Sequence, residues 1–235
     1  ARVTVLIPSY KHEHFVAAAI ESCLVQTMPD LRVLVADDQS PDGTVAVASA
    51  TGDARVRVET NERNLGLGGS VLAALARIDT PYVALLNSDD LFHPERLARC
   101  LAVLEQDPSA MLVTTGFDVV DRRDGIVTAA TTSAVVVGPQ AYAWLRWHEG
   151  IVRDELHTPA DWTSFATLLR HNVLATSSNL VVRTDWLREH MPAASGLKYC
   201  VDWQLFLEAS LQGGLRFVEQ HLLAYRLHDA NTVWF

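Results

Sequence analysis

The sequence of 235 residues is short of cysteine, of positive charge and of long apolar runs, and each shortage excludes something. Cys23, Cys100 and Cys200 are odd in number and far apart. They form neither a CxxC metal pattern nor a disulfide framework, which points to a reducing compartment. Lys and Arg total 19 against 28 Asp and Glu, so the net charge is 19 − 28 = −9. Such a chain is a poor partner for nucleic acid, whose phosphates need basic groups. A small anion would need a local cation or a helix N-terminus. No apolar run approaches the ~20 residues of a membrane span. The opening "ARVTVLIPSY" reads as a strand from its second residue, and the expectation is that it is no signal peptide. No repeat, low-complexity tract or linker divides the chain. The expectation is one cytoplasmic domain, free, peripheral to a membrane or part of a longer chain.

What is present is alternation. "VTVLIP", "LRVLVA", "ARVRVET", "YVALL" and "AMLVTTGF" read as strands. Between them, "HFVAAAIESCLVQT", "PDGTVAVASAT", "LGLGGSVLAALARI" and "HPERLARCLAVLEQ" read as helices. Most of the strands are apolar without period-two alternation, the mark of a parallel sheet covered on both faces. After about residue 117 the regularity fades. A hairpin is expected around Asp124–Gly125 and aromatic-faced helices in "PQAYAWLRWH" and "WTSFATLLRH". Another helix is expected in "VDWQLFLEASLQGG", with Trp203, Phe206, Leu207 and Leu211 on one face and Gly213–Gly214 ending it.

Two acidic pairs stand at strand ends: Asp37–Asp38 after "LRVLVA" and Asp89–Asp90 in "LLNSDDLF". Ser and Asp also suit turns and caps, so an isolated "SDD" has an ordinary explanation. Ligands of open α/β sheets, however, bind beyond the carboxyl ends of the strands. Both pairs, and Pro8–Ser9–Tyr10 after the first strand, belong to that edge. Adjacent carboxylates repel, and a cation between them reverses the sign.

"VTVLIPSYKHEHFVAAAIESCLVQT", "LRVLVADDQSPDGT", "NERNLGLG" and "PYVALLNSDDLFHPERL" resemble the nucleotide-binding half of glycosyltransferase family 2. "KYCVDWQLFLEAS" and "AYRLHDANT" extend the resemblance more loosely. It implies the type A glycosyltransferase fold: an α/β, Rossmann-like, mostly parallel sheet with helices on both faces and an irregular acceptor-side second half. It implies a single domain, with residues 1–117 holding a nucleotide-sugar and 118–235 holding the acceptor and the catalytic base. The implied activity is metal-dependent inverting transfer from a UDP-, dTDP- or GDP-sugar to a hydroxyl of a carbohydrate or other acceptor, with Mn²⁺ or Mg²⁺.

By the same resemblance Pro8, Ser9, Tyr10, Asp37 and Asp38 contact the nucleotide, with Tyr10 against the base and Asp38 accepting a hydrogen bond from it. Asn87 and Ser88 join the nucleotide site. Asn87 stands where the usual DxD motif begins, so the motif reads "NSD". Asp89 and Asp90 bind metal at the donor site, and His228 contacts the metal or diphosphate. Asp202 is the general base, in a position where it can equally be a helix N-cap. His12, Glu13 and His14 read as a solvated helix start. Gly66, Gly68 and Gly69 read as close helix packing on the sheet, since the GxGxxG spacing is absent. Trp144, Trp147 and Trp162 are either core or acceptor-stacking residues. The alternatives are an inactive nucleotide-sugar binding module and a nucleotidyltransferase. The second would need a basic glycine-rich loop where "PSYKHEH" stands.

Overall fold

The computed structural model describes residues 1–121, 123–128, 139–228 and 231. The first half alternates as β1 (Val3–Ser9), α1 (Val16–Leu24), β2 (Leu31–Asp37), α2 (Thr44–Ser49), β3 (Val56–Thr60), α3 (Gly66–Leu75) and β4 (Tyr82–Leu85). A two-residue β5 (Leu91–Phe92), α4 (Arg96–Gln106) and β6 (Leu112–Val120) follow. The second half carries α5 (Pro139–Glu155), α6 (Pro159–Thr163), α7 (Phe165–Arg170) and a 3-10 turn (Ser177–Asn179). It ends with β7 (Val181–Arg183), α8 (Thr184–Ala194), α9 (Val201–Leu211) and β8 (Leu215–Arg226).

One eight-stranded sheet has the order β3-β2-β1-β4-β7-β6-β8-β5. β3, β2, β1 and β4 are mutually parallel. β1 and β4 are buried along their whole length, which explains their unbroken apolar runs. Val3, Val5 and Ile7 face one core with α1 and α4, while Leu6 faces a second with α3, α8 and α9. Helices therefore cover both faces.

Simple alternation would set β6 beside β4. Instead β7 lies antiparallel to both, between them. Its pairing partners are far away in sequence, and a three-residue strand has no periodicity to announce it. The turn at Asp124 is present, with Val120 bridged to Ile126, but most of the segment beyond it lies outside the described residues.

Other local expectations also change. In α9 the buried face is Val201, Leu205, Phe206 and Ala209, and Leu211 is exposed. Gly213, at φ +69°, ends that helix as expected. Gly68 packs not on the sheet but on the chain after α8, where an added Cβ would meet Ser195 Cα at 2.9 Å.

Candidate active site at the carboxyl edge of the sheet

Because β1, β2 and β4 are parallel, the segments that leave them share one edge. Asp89 is nearly buried there, and its Oδ2 lies 3.0 Å from His228 Nε2. His12 Nε2 is 4.0 Å from the same oxygen. One ligand atom from each of His12, Asp89 and His228 falls within 4.8 Å of the others. His12 is thus no solvated helix start. His14 is exposed, and Glu13 instead accepts the Gly43 N–H at 2.7 Å. Phe15 stacks on His228 at 4.8 Å, and the Arg226 guanidinium lies 5.2 Å from the other ring partner's centroid, that of Phe15.

Asp90 turns away from this cluster. Its Oδ1 accepts the Arg226 N–H at 2.9 Å, and its Oδ2 accepts the hydroxyls of Ser178 and Thr176. Burial, reinforced by the charge on Asp89, pushes the Asp90 carboxyl up. Burial also opposes the charge on Asp89, but the His228 hydrogen bond and the two imidazoles outweigh it and bring that carboxyl down. The repulsion of the pair is eased by giving its members different partners, which move the two carboxyls in opposite directions.

Asn87 is committed as well. Its Nδ2 donates to Thr176 Oγ1 at 3.0 Å, and its Oδ1 accepts from Ser177 Oγ at 2.6 Å. The turn that receives Asn87 and Asp90 is held by Arg96. This fully buried side chain donates to Thr115 Oγ1, Ser178 O and Asn179 Oδ1. Ser88 Oγ lies 2.7 Å from His12 Nδ1 and fixes that ring.

At the neighbouring strand ends Pro8 and Ser9 are buried and Tyr10 is 40% exposed. Ser9 and Asp37 are register partners, and Ser9 Oγ and Asp37 Oδ1 are buried atoms with no hydrogen-bond partner among the described residues. Asp37 Oδ2 accepts the Ser40 N–H at 2.9 Å. Asp38 is tied to the start of α3: it accepts from Leu65 N at 2.8 Å, Gly66 N at 2.7 Å and Asn61 Nδ2 at 2.9 Å.

Asp202 is half-buried in the first turn of α9. It is not the N-cap, a place taken by Cys200 at φ +62°. Its Oδ1 accepts the Trp203 N–H at 2.8 Å. Burial pushes its carboxyl up to about 6, against backbone hydrogen bonds and one from Asn172 that lower it. Trp162 stacks on Phe217 at 4.7 Å and Trp144 on His148 at 5.1 Å, whereas Trp147 is 40% exposed.

Among the described residues, the non-glycine residues with positive φ are Lys11, Gln39, Asp124, Ala175 and Cys200. Lys11, Gln39, Ala175 and Cys200 lie within two residues of His12, Asp38, Thr176 and Asp202. Asp124 pairs with Arg226, which holds Asp90. Backbone strain of about 1–3 kcal/mol per residue gathers around this edge, as it does at functional sites.

The sequence model of glycosyl transferase family 2 matches residues 4–175. The chain belongs to glycosyl transferase family 2. This glycosyltransferase is 37% identical over 99 residues to the succinoglycan biosynthesis protein ExoO of Rhizobium meliloti, covering 42% of this chain and 28% of that one. It is 33% identical over 102 residues to the UDP-Glc:alpha-D-GlcNAc-diphosphoundecaprenol beta-1,3-glucosyltransferase WfgD of Escherichia coli, covering 43% and 40%. The solved structure of S. aureus TarS 1-349 in complex with UDP-GlcNAc superposes with a TM-score of 0.70 at 19% identity, covering 98% of this chain and 60% of that one. That likeness establishes the type A glycosyltransferase fold. The glycosyltransferase spans 28% of ExoO and 40% of WfgD, well short of their full lengths. No helix among its described residues is long and apolar enough to cross a membrane.

Proposed function

We propose that this glycosyltransferase moves a sugar, with inversion, from a UDP-sugar to a hydroxyl acceptor, and that a divalent cation assists at Asp89. The observation that carries the reading is the meeting of Asp89, His228 and His12 at the carboxyl edge, beside the strand ends of β1 and β2. Support for the donor class comes from relatives: WfgD is named for UDP-Glc, and TarS was solved with UDP and UDP-GlcNAc.

The donor set fits a cation. A carboxylate oxygen and two ring nitrogens stand within 4.8 Å of one another, close enough to serve one ion with little movement. Asp89, His228 and His12 would hold it. When bound, it would offset the charge that develops on the leaving diphosphate. Asp90, Asn87 and Ser88 support that centre in this reading: Asp90 and Asn87 fix the loop, and Ser88 orients His12.

Ser9 Oγ and Asp37 Oδ1 are the unpaired groups at the neighbouring strand ends, which suits them to the base or ribose hydroxyls. Tyr10 offers an exposed ring to the base. Asp38, bound to the start of α3, shapes this pocket and keeps spare lone pairs for the nucleotide. Asp202 is the base that takes the acceptor's proton. The N-terminus of α9 favours its anion, by about 0.3–1 kcal/mol, while burial makes it basic enough to receive a proton near neutral pH. Residues 118–235 then supply the base and the acceptor surface, and 1–117 most of the donor surface.

Release of UDP from UDP-GlcNAc and UDP-Glc, with and without Mn²⁺, tests the reading. Metal-stimulated release that is lost in Asp89→Ala supports it. Release from neither donor under either condition, while binding persists, would favour a module without turnover.

A further inference from the structure

The two motif positions beside Asp89 are committed to the fold, and Asp90 is fully buried and stands outside the cluster of His12, Asp89 and His228. The Asn87 amide is engaged at both ends by Thr176 and Ser177, and both oxygens of Asp90 are taken by Arg226 N, Ser178 and Thr176. Among the described residues Asp89 is left as the one carboxylate of the cluster, facing two imidazoles. His12 comes from the segment between β1 and α1, and His228 from the chain just past β8. Both rings are fixed from behind. Ser88 Oγ sits 2.7 Å from His12 Nδ1, so that Nε2 is the free nitrogen on the Asp89 side. Phe15 stacks on His228 at 4.8 Å and meets His12 edge-on at 5.8 Å. The side chains of His12, Asp89 and His228 are only 19%, 11% and 0% exposed.

We propose that His12 sets the metal preference of this site, making it a two-imidazole, one-carboxylate centre that selects a first-row transition cation over Mg²⁺. The inference rests on the donor-site reading above and adds the identity of the ion class and the residue that decides it. Mg²⁺ takes oxygen ligands in strict octahedral geometry and gives up its waters reluctantly. A withdrawn cluster with one carboxylate meets neither demand. Imidazole nitrogens suit the transition ions, whose affinity rises along Mn²⁺ < Fe²⁺ < Co²⁺ < Ni²⁺ < Cu²⁺ and is again high for Zn²⁺. Ser88 acts as a positioning residue: a proton held on His12 Nδ1 toward its hydroxyl leaves Nε2 with its lone pair free for a metal. The His12 backbone N–H is anchored independently by Thr44 Oγ1 at 2.9 Å, so its side chain can be changed without releasing the loop.

The test is titration of the full chain with Co²⁺ alone, followed by visible absorption, which reports nitrogen ligation directly. Zn²⁺ and Mg²⁺ then compete. The wild type should bind Co²⁺ with a nitrogen-ligated spectrum, and Mg²⁺ should displace it at least about tenfold less effectively than Zn²⁺. His12→Gln should weaken Co²⁺ by roughly tenfold or more while circular dichroism stays unchanged. His12→Asp replaces the nitrogen with a carboxylate and should move the preference toward Mg²⁺, a gain that a merely damaged loop would not produce. Wild-type Co²⁺ affinity in His12→Gln, or competition by Mg²⁺ equal to that of Zn²⁺, overturns the inference. If Asp89→Ala loses Co²⁺ while His12→Gln keeps it, the inference fails and the donor-site reading stands. If neither variant loses it, both fail.

Discussion

Asp89 Oδ2 stands 3.0 Å from His228 Nε2, although the two residues are 139 positions apart in the chain. The contact joins the end of β4 to the end of β8. It places the chain's last long strand in the same site as the β1–α1 segment. Its neighbour Asp90 is drawn the other way, to Arg226 N and the 3-10 turn. Adjacent carboxylates thus perform separate tasks.

That division predicts unequal effects on stability. Asp90→Ala removes the acceptor of one buried N–H and two hydroxyls and should cost roughly 3 kcal/mol. Asp89→Ala removes one contact, to His228 Nε2, and should cost less, about 1 kcal/mol. Urea unfolding of the two variants measures the contrast. A larger loss in Asp89→Ala would mean that the roles are reversed.

Asp38 ties β2 to α3 through the Leu65 and Gly66 N–H groups. Asp38→Ala should therefore lower the unfolding free energy by about 1–3 kcal/mol, through unsatisfied N–H groups at the start of α3. It should also increase amide exchange at Leu65 and Gly66. A variant that loses nucleotide affinity without any change in exchange would assign Asp38 to the ligand alone.

Asp202→Asn should keep donor affinity within a few-fold and lose about 10²–10⁴ in transfer rate. Asn retains an oxygen for the Trp203 N–H, and the N-cap is Cys200, so α9 should persist. Single-turnover transfer, read beside donor titration, decides the point. Near-normal transfer would turn the search for a base to Asp154, Glu155 and Asp161. Asp154 pairs with Arg153, Glu155 with Arg170, and Asp161 closes a capping box with Thr158.

The pH profile of transfer should carry an acid limb near the about 6 of Asp202, because a base must be ionised and protonation below that value removes it. The Asn172 hydrogen bond lowers this carboxyl. Asn172→Ala should therefore raise it and move the limb to higher pH. A limb that stays in place, or that moves to lower pH, contradicts the assignment of the profile to Asp202.

The carboxyl edge was legible because parallel strands ending in "ADD" and "NSDD" must share it. The separate fates of Asp89 and Asp90 were not legible, since two adjacent acids look alike until their surroundings are known. His12 was misread because a histidine in a loop before a helix is ordinarily solvated. Its one available signal was its position, two residues after Tyr10 at the same edge. Arg96 gave no signal at all. Its burial depends on Thr115, Ser178 and Asn179, which meet only in three dimensions. β7 was hidden for the same reason, as both its partners are distant in sequence. On α9, the expected apolar stripe failed because Leu211 lies in the last turn, beyond the core that Val201, Leu205 and Phe206 reach.

The most direct measurement is calorimetric titration of UDP into the wild type and Asp89→Ala, each with and without Mn²⁺. The account predicts tight binding to the wild type only when Mn²⁺ is present, and a loss of at least about tenfold in the variant, or about 1.4 kcal/mol. Binding of equal strength in all four titrations would contradict a metal-assisted donor site at Asp89.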